Sequence, residues 1–167
     1  MAEISDAARA AATLLHRLLR ERSATVATAE SLTGGLIGAA LTDIPGASVT
    51  YRGGVVCYAT DVKESLLGVH HDLLHRHGAV HPDVAIQLAL GARELLAATY
   101  GLAVTGVAGP DPQDGWPVGT VFLGFASPEG TGATELPLGG SRAQIRRVTT
   151  EQALRLLSAR VARSTSE

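Results

Sequence analysis

The sequence is poor in the residues that several classes of protein require. Of 167 residues one is a cysteine and 4% are aromatic, and no uncharged stretch reaches the roughly 20 apolar residues of a membrane span. The single cysteine, Cys57, excludes an intrachain disulfide and a metal site built from several cysteines. The few aromatic side chains do not form the stacking platform that single-stranded nucleic acid needs. The net charge of -2, from 14 basic and 16 acidic residues, provides no surplus of positive charge for binding the phosphate backbone of a nucleic acid.

The remaining composition is that of a globular protein, with 46% hydrophobic and 18% charged residues. We therefore predict one domain over residues 1–167, with neither a membrane nor a nucleic acid as partner. The first six residues are polar and acidic, unlike a signal peptide. Together with the single cysteine, they favour a cytoplasmic location.

Helical and strand patterns alternate along most of the chain, which predicts an α/β sandwich with a largely parallel sheet. Residues 118–138 form a plausible hairpin, so the sheet is expected to be mixed. Thr60 or Asp61 is the expected cap of the third helix, and Ser141 that of the last. Helices are predicted over 5–22, 32–41, 60–67, 71–76, from Pro82 onward and from Ser141 onward, and strands over 25–30, 49–58, 102–105, 118–126 and 133–138.

Two segments each lead from a predicted strand into a turn rich in threonine and glycine. They cover 26–35 and 104–110. In open α/β sheets, ligands bind beyond the carboxyl ends of the strands. Both turns are therefore expected at the same edge of the sheet, facing one pocket.

The first of these turns and the segment after the second strand contain residues suited to acyl transfer. A serine beside free backbone N–H groups can attack a carbonyl, and a lysine can act as its base where burial lowers its pKa from about 10.4. Ser31 and Lys63 are of these types, and Tyr58 lies near Lys63 in the chain. On pattern alone, helix capping by Ser31 and Thr33 and a solvated Lys63 are the more frequent explanations.

Other candidate features carry weaker signals. Residues 105–109 expose donors suited to a polar ligand, although ordinary turn chemistry explains them about as well. Arg142 and Arg146 share a helix face and can grip a phosphate, although plain surface arginines are more frequent. Five histidines within 70–81 lack the glutamate of an H-E-x-x-H motif, so we expect no metal site. Cys57, in an apolar strand without an adjacent histidine, is expected to be an inert thiol.

Several motifs in register resemble the CinA C-terminal domain family, which includes stand-alone nicotinamide-nucleotide amidohydrolases. The resemblance runs from about residue 8 to residue 160, and the linked motifs are more specific than any single one. The motifs are 28–37 (TAESLTGGLI), 45–48 (PGAS), Tyr58 with Lys63, 66–69 (LLGV), 77–80 (HGAV), 103–110 (AVTGVAGP) and 117–121 (PVGTV).

The resemblance implies a three-layer α/β/α sandwich that hydrolyses the carboxamide of nicotinamide mononucleotide to nicotinate mononucleotide and ammonia, without a cofactor or metal. By position, Ser31 is the expected nucleophile, Lys63 its general base and Tyr58 a proton relay or orienter. The N–H groups around two glycines of the first turn are our candidates for the oxyanion hole, and either arginine is expected to hold the 5′-phosphate. The expected substrate-binding residues are Thr33, Gly34, Gly35, Ser48, Thr105, Gly106, Ala108, Gly109, Arg142 and Arg146.

The chain departs from the family's usual pattern near this expected site. Ser141 precedes Arg142 where the family often has aspartate, and residues 58–61 read Tyr-Ala-Thr-Asp in place of a common Tyr-Ser-Asn. Asp111, Pro112 and Trp116 alter a stretch that usually reads Gly-Gly and Lys. We expect these three at the rim of the pocket, where they affect affinity or substrate choice.

Two other functions fit the same resemblance. One is a non-catalytic nucleotide-binding protein linked to DNA uptake, and the other is an amidase acting on another small nucleotide or amide. The presence of Ser31, Tyr58 and Lys63 together favours catalysis. Family members tend to self-associate, so we expect a homo-oligomer. Full-length relatives carry a separate metal-dependent pyrophosphatase domain, and we expect neither that activity nor its metal here.

Overall fold

The chain folds into helices and strands between residues 4 and 164, which are the residues that this computed structural model describes. None of the helices in this range has the length and apolar character needed to cross a membrane. The helices are α1 (Asp6–Glu21), α2 (Leu36–Thr42), α3 (Thr60–Leu67), α4 (His71–His77), α5 (Pro82–Leu95) and α6 (Arg142–Arg163). The strands are β1 (Val26–Glu30), β2 (Tyr51–Val56), β3 (Tyr100–Gly106), β4 (Thr120–Ser127) and β5 (Gly130–Pro137).

The five strands form one mixed sheet in the order β2-β1-β3-β4-β5. Strands β2 and β3 both pair with β1 in parallel, whereas β4 is antiparallel to β3 and to β5. The expected hairpin is therefore β4 and β5, whose pairing closes at Ser127 and Gly130. The predicted α/β class, the mixed sheet and the hairpin are confirmed.

Helices cover both faces of this sheet, which gives the three expected layers. Leu102 and Val104 of β3 join a core formed with α1, α2 and α6, whereas Ala103 joins a second core formed with α3, α4 and α5. Successive side chains of a strand point to opposite faces, so one strand supplies both cores. Strand β1 lies between two parallel neighbours and is buried along its whole length. Its carboxyl end, at Glu30, consequently lies between two neighbouring strands.

Several predicted boundaries are corrected by turn geometry. Helix α2 begins at Leu36 and not at residue 32, because Gly34 and Gly35 have φ values of 60° and 98°, which do not continue a helix. Strand β2 is shorter than expected, since a 3-10 turn over Ala47–Val49 precedes it. The cap of α3 is Ala59, without a side-chain bond, so the predicted capping by residue 60 or 61 is wrong.

Two other local predictions are confirmed. Ser141 accepts a hydrogen bond from the N–H of Gln144, whose side chain returns one to the backbone of Ser141, so α6 begins with a capping box. Gly53 and Gly54 interrupt the strand pattern of residues 49–58, which predicts a bulge or a close backbone approach. The pairing of β1 with β2 does shift by one residue after Val26. A Cβ atom at Gly54 would overlap the hydroxyl of Thr28, so the strands approach closely there.

Candidate active site

A cleft of about 310 Å³ lies beyond the carboxyl ends of the three parallel strands. This volume falls at the lower end of the range of about 300–1,000 Å³ typical of small-molecule sites. Ser31 follows β1, Tyr58 follows β2, and Gly106 ends β3, and all three line the cleft. The prediction that both turns face one pocket at this edge is confirmed.

Lys63 and Ser31 meet inside the cleft. The Nζ atom of Lys63 lies 3.4 Å from the Oγ atom of Ser31 and also donates to the carbonyl oxygens of Cys57 and Tyr58. On α3, Lys63 and Leu67 are one turn apart and form the buried face of the helix. Burial therefore brings the amine to the serine, and a surface location for Lys63 is excluded.

The environment of Lys63 disfavours its charged form. Its side chain is 1% exposed, and it is the only lysine of the chain. No carboxylate among residues 4–164 lies within ion-pairing distance of it, and its hydrogen-bond acceptors are uncharged oxygens. Desolvation consequently lowers the pKa of Lys63, against weaker opposing effects of Cys57, Tyr58 and Asp114. A lysine in this state is suited to accept a proton.

Glu30 organises the turn that carries Ser31, a role that the sequence analysis missed. Its buried carboxylate accepts the Thr33 hydroxyl at 2.7 Å and the N–H groups of Gly35, Ile37 and Gly38 at 2.8–3.0 Å. An anion is favoured beside the free N–H groups of a helix start. The signal in the sequence was an acid at the end of a buried strand, directly before a small-residue turn and a helix.

These bonds occupy the donors that we expected to form an oxyanion hole. The N–H of Gly34 donates to the carbonyl of Ser31 at 3.1 Å, and the N–H of Gly35 donates to Glu30 at 3.0 Å. Thr33 is fully buried, and none of Thr33, Gly34 and Gly35 lines the cleft. These three residues shape the turn, and their N–H and hydroxyl groups do not lie free for substrate.

Arg142 and Tyr58 form a bridge at the mouth of the cleft. Arg142 Nη2 donates to the Tyr58 hydroxyl at 3.0 Å, and its Nη1 donates to the carbonyl of Gly109 at 2.6 Å. The Tyr58 side chain is 61% exposed, and the part of Tyr58 that reaches Lys63 is its carbonyl oxygen. The hydroxyl thus orients Arg142, whose remaining N–H donors are available to a ligand.

The end of β3 and the loop after it form another wall of the cleft. The expected residues Thr105, Gly106, Ala108 and Gly109 all line the cleft. The Thr105 hydroxyl donates to the carbonyl of Ala79 at 2.7 Å. Thr105 therefore joins this wall to the turn before α5.

Asp114 holds the far end of the same loop, and this residue was also missed. Its Oδ2 atom accepts the N–H groups of Ala79 and Val80 at 2.7 and 3.0 Å. In the sequence, the dipeptide of Asp114 and Gly115 indicates only a turn. The carboxylate fastens the loop carrying residues 109–113 against the turn that precedes α5.

The structure separates some expected site residues from the cleft. Ser48 lies in the 3-10 turn before β2, whereas the cleft lies beyond the other end of this six-residue strand, roughly 20 Å away at about 3.3 Å per residue. Asp111 and Pro112 line the cleft as predicted, but Trp116 instead packs edge-on against Phe122, with ring centroids 5.3 Å apart. Arg146 does not line the cleft, because its guanidinium binds the carbonyls of Leu32 and Thr33.

The remaining candidates lie outside the cleft. Cys57 is fully buried, and desolvation raises the pKa of its thiol, which agrees with an inert residue. His71 contacts Glu64 at 3.1 Å, and its ring stacks on that of His75. Within the part of the chain that the structure describes, no three His, Cys, Asp or Glu side chains are grouped to hold a metal ion.

Residues 8–161 match the family model of the CinA C-terminal domain. The chain belongs to the CinA C-terminal domain family. A CinA-like protein of Frankia casuarinae is 54% identical over 140 residues, which are 84% of this chain and 32% of that protein. The chain therefore spans about a third of the length of this relative.

Solved structures of this family have the same fold. The competence/damage inducible protein CihA from Agrobacterium tumefaciens superposes with a TM-score of 0.90 at 36% identity, covering 95% of this chain and 98% of that one. The competence damage-inducible protein A (ComA) from Klebsiella pneumoniae gives 0.91 at 29% identity, covering 95% and 99%. The resemblance inferred from sequence motifs and the three-layer fold are both confirmed.

Proposed function

We propose that this CinA C-terminal domain hydrolyses the carboxamide of nicotinamide mononucleotide to nicotinate mononucleotide and ammonia. The observation that carries the proposal is the contact between Ser31 and the chain's single, buried lysine inside the cleft. Activation of a serine by an adjacent desolvated base is the arrangement that acyl transfer requires. A protein that only bound nucleotides would have no need for a buried lysine beside a serine.

The neighbours of Lys63 determine where its lone pair points once the amine is neutral. A charged ammonium has three N–H donors, and a neutral amine has two donors and one lone pair. The carbonyls of Cys57 and Tyr58 accept only, so they take the two N–H groups of the neutral amine. The lone pair is then left for the hydroxyl proton of Ser31, the third neighbour.

The reaction proceeds in two acyl transfers. Ser31 Oγ attacks the amide carbon while Lys63 takes the hydroxyl proton, and the tetrahedral intermediate carries the charge on the former carbonyl oxygen. The C–N bond then breaks, and the nitrogen leaves as ammonia with the proton from Lys63. A water molecule, deprotonated by Lys63, attacks the acyl-serine and releases the carboxylic acid and Ser31.

Charge at the cleft mouth supports a phosphorylated substrate. Arg142 lines the cleft and uses two of its five N–H donors within the protein. We assign the 5′-phosphate to Arg142, held in place by Tyr58. Binding of this remote group aligns the amide with Ser31, which lowers the barrier of the chemical step.

The test is ammonia release from nicotinamide mononucleotide by the purified, chelator-treated protein. Ser31→Ala is expected to abolish release, and Ser48→Ala, an exposed serine at the other end of the sheet, serves as the matched control. Binding of the nucleotide without release by the folded wild-type protein would favour the non-catalytic alternative. Release from another nicotinamide or amide compound alone would identify the other amidase.

A further inference from the structure

Arg146 joins the last helix to the turn that carries Ser31. Its Nε donates to the carbonyl of Leu32 at 2.9 Å, and its Nη2 donates to the carbonyl of Thr33 at 3.1 Å. These two carbonyls lie more than 110 positions away in the chain, and the guanidinium is half-buried against them. Such a fork fits two adjacent carbonyl oxygens, which a single lysine amine would not hold in the same fixed geometry.

On the other side, Glu30 takes the donors of the same turn. Its carboxylate accepts the Thr33 hydroxyl and the N–H groups of Gly35, Ile37 and Gly38. The turn is therefore held between a buried anion, which binds its donors, and a cation, which binds its acceptors. Two such anchors leave little freedom for rotation of the peptide groups between them.

The anchored carbonyls determine where the N–H of Leu32 points. In a trans peptide the C=O and N–H bonds are directed oppositely. The carbonyl of Ser31 is held by the N–H of Gly34, and the peptide group of that N–H is held by Arg146 through the carbonyl of Thr33, so the N–H of Leu32 is directed away from these contacts. Leu32 lines the cleft, and among residues 4–164 its N–H has no acceptor.

We propose that Arg146 is a positioning residue that holds the peptide groups after Ser31 so that the N–H of Leu32 binds the oxyanion. The inference rests on the proposed function, and it specifies a donor of the oxyanion hole and the role of Arg146 in orienting it. When Ser31 Oγ bonds to the carbonyl carbon, the π electrons move to the carbonyl oxygen. Donors fixed beforehand around that oxygen stabilise this charge without any rearrangement.

This positioning role of Arg146 differs from the phosphate binding that was expected from the sequence. Two donors of its guanidinium are already used on protein carbonyls, and the residue does not line the cleft. Loss of a phosphate anchor weakens substrate binding and raises KM. Loss of a group that orients oxyanion donors lowers kcat and leaves KM nearly unchanged.

The experiment compares Arg146→Met with Arg147→Met, the exposed neighbour on the same helix turn. For Arg146→Met we expect kcat for ammonia release to fall by about tenfold or more with little change in KM, whereas Arg147→Met keeps both values. Arg146→Lys is expected to fall in between, because it restores one donor. Millimolar guanidinium is expected to restore part of the kcat of Arg146→Ala, which a variant damaged only in folding would not show.

The outcomes separate this inference from the proposed function. A rise in KM at constant kcat, or an unchanged kcat, overturns the role of Arg146. The rate at which p-nitrophenyl acetate acylates Ser31, followed by nitrophenolate release and mass spectrometry, gives a second readout that needs no nicotinamide substrate. If the wild type acylates but releases no ammonia, the proposed function fails and the Arg146 variants still decide the inference on acylation. A wild type inactive in both assays overturns both.

Discussion

Lys63 Nζ lies 3.4 Å from Ser31 Oγ, although the two residues are 32 positions apart in the chain. Their contact follows from the parallel pairing of β1 with β2, since parallel neighbours end at the same edge of a sheet. Ser31 leaves the end of β1, and the chain leaves β2 a few residues before α3 returns Lys63 to the same edge. The candidate dyad thus depends on the strand order more than on local sequence.

Replacing Lys63 with methionine tests the base directly. We expect ammonia release to fall by about 100- to 10,000-fold, the usual contribution of a general base. The free energy of unfolding at neutral pH is expected to stay equal or rise, because methionine removes a buried amine whose ionisation burial disfavours. Steady-state kinetics and urea unfolding measure the two effects. Arg76→Met, an exposed cation on α4, is the control, and activity within tenfold of wild type would rule out the base.

The pH dependence follows from the lowered pKa of Lys63. Activity is expected to rise with pH through the folded-state pKa, below the ordinary value of about 10.4, as the amine becomes neutral. Between these two pKa values the unfolded chain binds one proton more than the folded chain. The free energy of unfolding is therefore expected to fall as the pH falls from about 10.4, and to level off below the folded-state pKa.

Because the chain has a single lysine, this titration is directly measurable. Incorporation of 13Cε-labelled lysine gives one side-chain signal by NMR, and its midpoint reports Lys63 alone. Agreement with the midpoint of the kcat/KM profile is the expected result. A signal that titrates at about 10.4 would show that the amine is ordinarily charged.

Glu30 is expected to matter for stability as well as activity. Glu30→Gln replaces one accepting oxygen with an NH2 group that faces backbone donors, so unfolding free energy should fall by about 2–3 kcal/mol. Because the same turn carries Ser31, kcat should fall too. Urea denaturation measures the first effect. Glu21→Gln, at the exposed end of α1, is expected to change neither quantity.

Asp114 is expected to act on substrate binding through the loop that it fastens. Asp114→Ala removes the acceptor of two N–H groups, so the wall over residues 109–113 loosens and KM for the nucleotide rises severalfold. Asp114→Asn keeps one carbonyl oxygen and tolerates the φ of 52°, so it should retain most of the affinity. An equal KM for all three proteins in steady-state assays would contradict this role.

Asp111 lines the same cleft as Arg142, so a carboxylate shares the cleft with the proposed phosphate. Asp111→Asn is expected to lower KM for nicotinamide mononucleotide by about two- to fivefold, the range of an exposed charge interaction. The KM for nicotinamide riboside, which lacks the phosphate, should not change. A parallel change for both substrates would indicate that Asp111 acts on the nicotinamide or ribose part.

Local sequence patterns predicted much of the fold. The alternation of strand and helix predicted the sandwich, and Ser141 predicted the start of α6. Consecutive apolar residues of β3 point alternately into the two cores. These features depend on the periodicity and hydrogen bonding of neighbouring residues, which the sequence shows directly. The motifs in register further identified the family, and with it the candidate pair of Ser31 and Lys63.

Only the tertiary structure decided the state and surroundings of that pair. Contacts between distant segments bury Lys63 and decide which backbone groups Glu30, Asp114 and Arg146 bind. The sequence shows that a residue has a charge, but the fold determines which partners that charge meets and how much water it loses. For this reason Arg142 and Arg146, one turn apart on α6, lie in different surroundings: Arg142 lines the cleft, and Arg146 binds carbonyls of the turn after Ser31.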